Sequence, residues 1–232
     1  MLYDKPKIYV ISDAAFMIEV ADRISDEASE AITSLTHLLD DADHEAIVDI
    51  VPSYRSIMVE YDLLKSDAAG MEDELARLCE SHAQRIDRSV RLIEIPVCYS
   101  TPHAPDLDQV AVLSGLEPQE VIDLHSEPVY QVSAMGFTPG FPYLSGLDHA
   151  IAVPRRATPR AAVAAGSIGI AGEQTGIYPV ASPGGWQIIG RTPLTLFDPQ
   201  RIDPFLLATG DTVRFIPIDD KTYYSMGGEL HD

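Results

Sequence analysis

MGFTPGFPYLSGLDHAIAVPRRATPRAAVAAGSIGIAGEQTGIYPVASPGGWQIIGRTPLTLFDP, residues 135–199, is the stretch whose reading decides the fold. Ten of the chain's fifteen glycines fall between Gly136 and Gly190. They interleave with short apolar pieces such as Ser167-Ile168-Gly169-Ile170 and Gln187-Ile188-Ile189. Short apolar runs punctuated by glycine and proline are the texture of strands joined by shaped loops, not of helices. Glycine reaches positive φ without steric cost and proline fixes φ, so GFTPGFP and SPGGW read as rigid loops on a sheet, a good setting for a site. This half of the chain is therefore mainly β, a barrel or a sandwich.

Outward from that stretch the texture changes. Residues 107–114 and 118–126 are two short helical patterns, the second opening on Pro118 with Glu120 in its first turn. They lead into a strand at 129–134, and a last strand is expected at 212–218, followed by a loose tail from Tyr223 to Asp232. Toward the N-terminus, 7–11 and 15–20 read as strands, and 26–39 as a helix with Ala28, Ile32, Leu35 and Leu39 on one face. Residues 46–51 and 56–61 flank a short hairpin connection. A second helix runs from about Met71 to Ile86 with Leu75, Leu78 and His82 on one face, and 91–97 closes the unit as a strand. Strand, helix, hairpin, helix, strand is the order of a small α+β sandwich of ferredoxin-like type. The boundary falls near 88 to 100, with the domains taken as residues 1–88 and 89–232.

Charge narrows the function classes. The chain carries 36 Asp and Glu against 16 Lys and Arg, a formal net charge of −20. Its long-range field opposes nucleic acid and anionic membranes as partners. Residues 149–197 are the exception, with Arg155, Arg156, Arg160 and Arg191 against Glu173 alone. A locally basic set of loops on an acidic body suits a small anionic ligand. MLYDKPKIYV has no signal-peptide character and no window approaches about 18 uninterrupted apolar residues, so a cytoplasmic protein is expected. Cys79 and Cys98 read as reduced, buried thiols. With no further cysteine and no paired histidine, no metal or prosthetic group is expected.

Several side chains could carry chemistry. His125, at the end of a helix pattern, is either an acid, base or hydrogen-bond donor or a histidine satisfied within the fold. Arg155 and Arg160 are five residues apart and each directly follows a proline, so they either aim guanidinium forks at a carboxylate or phosphate or form ion pairs. Gln174 and Thr175 sit at a turn and offer an amide and a hydroxyl together. Trp186, the single tryptophan, either walls a flat ligand or packs in the core. Tyr143 and Arg191 complete the set. His125, Gln174 and Arg160 are the catalytic candidates, and Tyr143, Arg155, Thr175, Trp186 and Arg191 the substrate- or nucleotide-binding ones. There is no P-loop, GxSxG elbow or HExxH, so half of an active site is the natural reading.

The ordered motifs Gly136-Phe137-x-Pro139-Gly140-Phe141-x-Tyr143-Leu144, Pro154-Arg155…Pro159-Arg160, Gly166-Ser167-x-Gly169-Ile170-Ala171-Gly172-x-Gln174-Thr175-Gly176-Ile177-Tyr178-Pro179, Ser182-Pro183-Gly184-Gly185-Trp186 and Gly190-Arg191-Thr192-Pro193 resemble the allophanate hydrolase subunit 1 family. That family includes KipI and the 5-oxoprolinase component PxpB. The resemblance implies a cyclophilin-like β-barrel for the second domain. It also implies a subunit of an ATP-dependent amide or lactam hydrolase, with ATP as co-substrate, that opens 5-oxoproline to glutamate. A subunit-2 (PxpC-like) partner and a third, PxpA-like subunit would complete the activity, and the chain would be inactive alone. Two other roles within the family stay open: a KipI-like inhibitor of a sensor histidine kinase, and a relative of allophanate hydrolase or urea carboxylase.

Overall fold

The structure, a computed structural model, describes residues 1–81 and 91–229. The chain forms two compact units, Met1–Ser89 and Val90–Asp232.

In the first unit, strands β1 (Leu2–Ser12) and β2 (Ala15–Ala21) make a hairpin, followed by helix α1 (Asp26–Asp41), strands β3 (Ile47–Pro52) and β4 (Ser56–Tyr61), and helix α2 (Ala68–Ser81). The sheet is antiparallel in the order β1-β2-β4-β3. Phe16, Ile18 and Val20 alternate inward from β2, and Ile57 and Val59 from β4, to meet Ile32, Leu35 and Leu39 of α1 and Leu75 and Leu78 of α2. The Ser25 hydroxyl caps α1 by accepting from Ala28 N–H at 3.2 Å, which satisfies one of the helix's orphan donors. The expected continuation of α2 to Ile86, with His82, lies outside the described residues.

The strand expected to close this sandwich belongs elsewhere. Residues Leu92–Cys98 form β5 of the barrel, where they pair in parallel with the last strand. Ile95 and Val97 are fully buried there. The place of a fourth strand in the N-terminal sheet is taken by β1, so the order is ββαββα and not the strand, helix, hairpin, helix, strand order read from the sequence.

The second unit continues with α3 (Leu107–Ser114), α4 (Pro118–Ser126), β6 (Val129–Met135), β7 (Pro142–Ser145), β8 (Arg160–Val163), β9 (Ser167–Ala171), β10 (Gln174–Ile177), β11 (Ser182–Gly184), β12 (Gln187–Arg191), β13 (Thr212–Ile218) and α5 (Asp220–Ser225). Seven of its strands close a barrel in the order β10-β7-β6-β13-β5-β12-β9, and β8 pairs with β11 in a separate two-stranded ribbon. Every neighbouring pair is antiparallel except β5 and β13. Period-two alternation sorts the side chains. Ile168, Ile170, Ile177, Leu144, Val132 and Phe215 fill the core with Val110 and Val121 from the helices. On the opposite face a second apolar layer forms from Phe141, Val163, Ala171, Tyr178, Trp186 and Ile188, with Tyr143 packed against it. Glycine makes this layer possible at Gly169, where a Cβ would lie 2.9 Å from Trp186 Cβ.

The tail expected to be loose is folded over residues 220–225 as α5. Asp219 caps it by accepting from Thr222 N–H at 2.8 Å, and Tyr223 is 1% exposed. Residues 230–232 lie outside the described residues. Among the described residues no helix is long and apolar enough to cross a membrane.

Candidate functional site

The basic segment folds around a single carboxylate. Asp106, just before α3, is 3% exposed and accepts four short hydrogen bonds. Arg160 presents its fork at 2.7 and 2.8 Å, Arg156 adds Nη1 at 2.7 Å, and Ile188 N–H of β12 donates at 2.7 Å. The backbone N–H of Asp106 donates in turn to Ile188 O at 2.9 Å. Bidentate guanidinium and backbone donors together meet the acceptor capacity of a buried carboxylate, which is what allows it to be buried charged. Asp106 thus ties the start of α3, strand β12 and the arginine segment into one rigid corner. Its importance was not visible in the sequence, although a stretch with four arginines and one glutamate needs a counter-charge from outside itself.

Beside this corner lies a cavity of about 440 Å³, lined among others by Pro102, His103, Arg160, Ser167, Ile188 and Arg191. Arg191 is 7% exposed. Its Nε donates to Ala165 O at 2.8 Å and its Nη1 to Glu229 O at 3.0 Å. Among the described residues it ion-pairs with no carboxylate. A desolvated guanidinium held only by neutral carbonyls keeps most of its positive field, and a carboxylate or phosphate entering the cavity would meet it. His103, 4% exposed, stands in the same wall, with Nε2 3.3 Å from the Tyr224 hydroxyl and its ring 4.2 Å from that of Tyr223. Burial first, then the nearby Arg191 charge, pushes its pKa below the usual histidine value, so the imidazole is neutral near pH 7.

The other candidates fall in two further places. Tyr143 and Trp186 belong to the apolar layer, their rings 5.9 Å apart, and the exposed Arg155 sets its guanidinium 6.0 Å from the Trp186 ring centre. Trp186 is 5% exposed, so it packs as core and offers a ligand little surface. Gln174 opens β10 opposite Ala171, on the strand face that carries Gly176 and its cross-strand neighbour Tyr143. It does not line the cavity that holds Arg160, so the structure does not place those two catalytic candidates in one cleft.

His125 and Thr175 point into the barrel core, and both are 0% exposed. The Thr175 hydroxyl donates to Gly169 O at 3.1 Å, so at 2.9 Å it accepts from His125 Nε2–H. Nδ1 then accepts from the Tyr99 hydroxyl at 2.8 Å. The imidazole stacks on Phe215 with ring centres 4.6 Å apart. Burial pushes its pKa down to about 3. A sealed, neutral and fully bonded histidine touches no substrate, so the reading of His125 as acid or base and of Thr175 as a binding residue is corrected. Both are hydrogen-bonded parts of the core. The expected ligand-directed fork of Arg160 is likewise corrected, because Asp106 occupies it.

The second unit is thus a closed mixed barrel with a basic, partly desolvated cavity at one corner. The chain belongs to the family described as carboxyltransferase domain, subdomain C and D, which matches residues 6–207. It is 38% identical over 233 residues to the B subunit of 5-oxoprolinase from Bacillus subtilis, covering 94% of this chain and 95% of that one. Its identity to the B subunit of 5-oxoprolinase from Escherichia coli O157:H7 is 41% over 213 residues, covering 92% and 96%. Among solved structures, TTHA0988 matches with a TM-score of 0.78 and 36% identity over 88% of this chain, which spans 40% of the TTHA0988 chain.

Proposed function

We propose that this chain is the B subunit of a 5-oxoprolinase, opening 5-oxoproline to glutamate as part of a complex. The observation that carries the reading is the end-to-end match to proteins of that name, 94% of this chain against 95% of the Bacillus subtilis relative. The substrate is a small carboxylate, and Arg191, buried beside the cavity and hydrogen-bonded to the Ala165 and Glu229 carbonyls, is the group that would hold it. An unstrained lactam is a poor electrophile. Phosphorylation of its carbonyl oxygen by ATP would create a leaving group. Water then adds to the carbonyl carbon and the ring nitrogen leaves as the amine, which gives γ-glutamyl phosphate; a second water hydrolyses this acyl phosphate, for a balance of 5-oxoproline, ATP and two waters to glutamate, ADP and phosphate. A PxpC-like and a PxpA-like subunit supply the remaining machinery in this proposal, in the cytoplasm. The finer structural type of the second unit, a cyclophilin-like barrel, belongs to the same proposal.

The test is co-expression with the two partner subunits and an assay of ATP-dependent glutamate formation from 5-oxoproline. Turnover by the three together and none by the chain alone is the expected result. Turnover by the pure chain, or an assembled complex that leaves 5-oxoproline intact, would overturn the reading.

A further inference from the structure

At the end of β5, Cys98 Sγ, His103 Nε2 or Nδ1 and an Asp220 carboxylate oxygen lie within 4.8 Å of one another. Cys98 Sγ is 3.5 Å and His103 Nε2 3.8 Å from Asp220 Oδ1. Tetrahedral zinc, with bonds of about 2.3 Å to sulfur and 2.0–2.1 Å to nitrogen or oxygen, separates sulfur from oxygen by about 3.5 Å and nitrogen from oxygen by about 3.3 Å. These two separations in the folded chain are already close to those around a bound ion, and sulfur and imidazole nitrogen are no more than 4.8 Å apart. The supporting shell is also in place. The Ser100 hydroxyl donates to Asp220 Oδ1 at 2.6 Å and lies 3.2 Å from Cys98 Sγ, while Tyr223 packs on the His103 ring. Such contacts orient ligands and restrict their rotamers.

We propose that Cys98, His103 and Asp220 form a binding site for one zinc-class divalent ion, in the wall of the cavity that His103 also lines. Thiolate, imidazole and carboxylate together suit zinc or cobalt, whereas magnesium and calcium take oxygen ligands. Three protein ligands leave a fourth position for water or a ligand. Binding requires Cys98 to lose its thiol proton to solvent, and requires His103 Nε2 to give up the Tyr224 hydroxyl at 3.3 Å so that its lone pair faces the ion. Entry is open from the side of Asp220, whose side chain is 52% exposed, while Cys98 and His103 lie beneath. The ion would join β5, the segment after it and α5, three pieces that the sequence separates by up to 122 positions.

The experiment uses the untagged full chain alone, so its outcome does not depend on the 5-oxoprolinase reading. Zinc is titrated in competition with a chromophoric chelator, and cobalt(II) is titrated by absorption. Expected are one ion per chain, a sulfur-to-cobalt charge-transfer band, and a rise in melting temperature with zinc. Removing a ligand should weaken binding at least as much as removing an outer-shell partner does, roughly 10–100-fold. That loss is expected in Cys98→Ser and in Asp220→Asn, and not in Cys79→Ser. Because Asp220 is half exposed, Asp220→Asn keeps the test open should Cys98→Ser fail to fold. Wild-type affinity no tighter than that of Asp220→Asn, or a cobalt spectrum without a thiolate band, would overturn the proposal.

Discussion

Asp106 and Arg191 represent opposite uses of charge in one corner of the barrel. Around the buried Asp106, two guanidinium groups and one backbone N–H converge on a carboxylate, so removing the negative charge leaves two half-buried cations facing each other. Breaking a buried pair costs about 3 kcal/mol or more. Asp106→Asn is therefore expected to lower the melting temperature by roughly 5–10 °C, read by calorimetry. An unchanged melting temperature would show that the arginines find solvent instead. Among the described residues Arg191 has no such carboxylate to lose. In the reconstituted complex, Arg191→Lys keeps the charge and gives up the planar fork, and its expected effect is a rise of at least about tenfold in KM for 5-oxoproline, roughly 1.4 kcal/mol of ground-state binding. An unchanged KM would remove Arg191 from the substrate site. His125 supplies a pH signature of stability. Its imidazole is neutral in the fold, with a pKa of about 3, against about 6.5 in the unfolded chain. Above about pH 6.5 both states are neutral and the group contributes nothing. As pH falls from 6.5 toward 3, only the unfolded state takes up the proton, so stability drops by up to about 1.4 kcal/mol per pH unit. His125→Gln can keep both hydrogen bonds without titrating, so denaturant midpoints of the two proteins are expected to converge or cross between pH 7.5 and 4.5. Parallel curves would contradict the sealed histidine.

At the scale of elements, local signals located most of the pieces and did not say which partners they take. Helices α3 and α4 occupy the residues whose pattern and Pro118 start signal announced them. Strand β5 carried an apolar pattern that fits either sheet. Its membership was decided by pairing with β13, about 120 residues away, which no local window contains. The tail failed for a related reason: α5 has six residues and rests on one buried tyrosine, so its order comes from tertiary contact and not from helix propensity. Of the site, Arg160 and Arg191 were legible because a basic cluster stands out on an acidic chain. His103, Asp106 and the Cys98, His103, Asp220 group were not, since each acts through residues remote in sequence. His125 and Thr175 read as reactive because residue type reveals nothing about burial. Some glycines of the motifs, by contrast, are packing requirements that can be tested singly. Gly176 on β10 has no room for a side chain: a Cβ would meet Pro142 O at 2.8 Å and Phe141 Cζ at 2.9 Å, one of them backbone. Gly176→Ala is expected to cost about 1–3 kcal/mol by overpacking, seen as a lower urea midpoint with unchanged slope. A neutral result would mean that the β7–β10 pairing yields more easily than this packing implies.

At the scale of the molecule, each unit carries its own core. The apolar cluster of the first draws on residues between Ile8 and Cys79, and those of the second on residues between Ile93 and Phe215. Each is of a size that can fold alone, and a closed barrel leaves no strand edge waiting for the other unit to cover it. The charge is also divided. Residues 1–90 carry 8 Lys and Arg against 20 Asp and Glu, a net −12 of the chain's −20. The cationic corner with Asp106 and Arg191 lies wholly in the second unit. A fragment from residue 90 to the C-terminus is accordingly expected to be soluble, to unfold in one cooperative transition, and to keep the Asp106 corner, so that Asp106→Asn lowers its melting temperature as it does in the full chain. Limited proteolysis of the full chain should yield a resistant piece beginning near residue 90. If cleavage instead scatters evenly along the chain, or the fragment melts without a cooperative transition, the two cores are not independent and the barrel requires the first unit to fold.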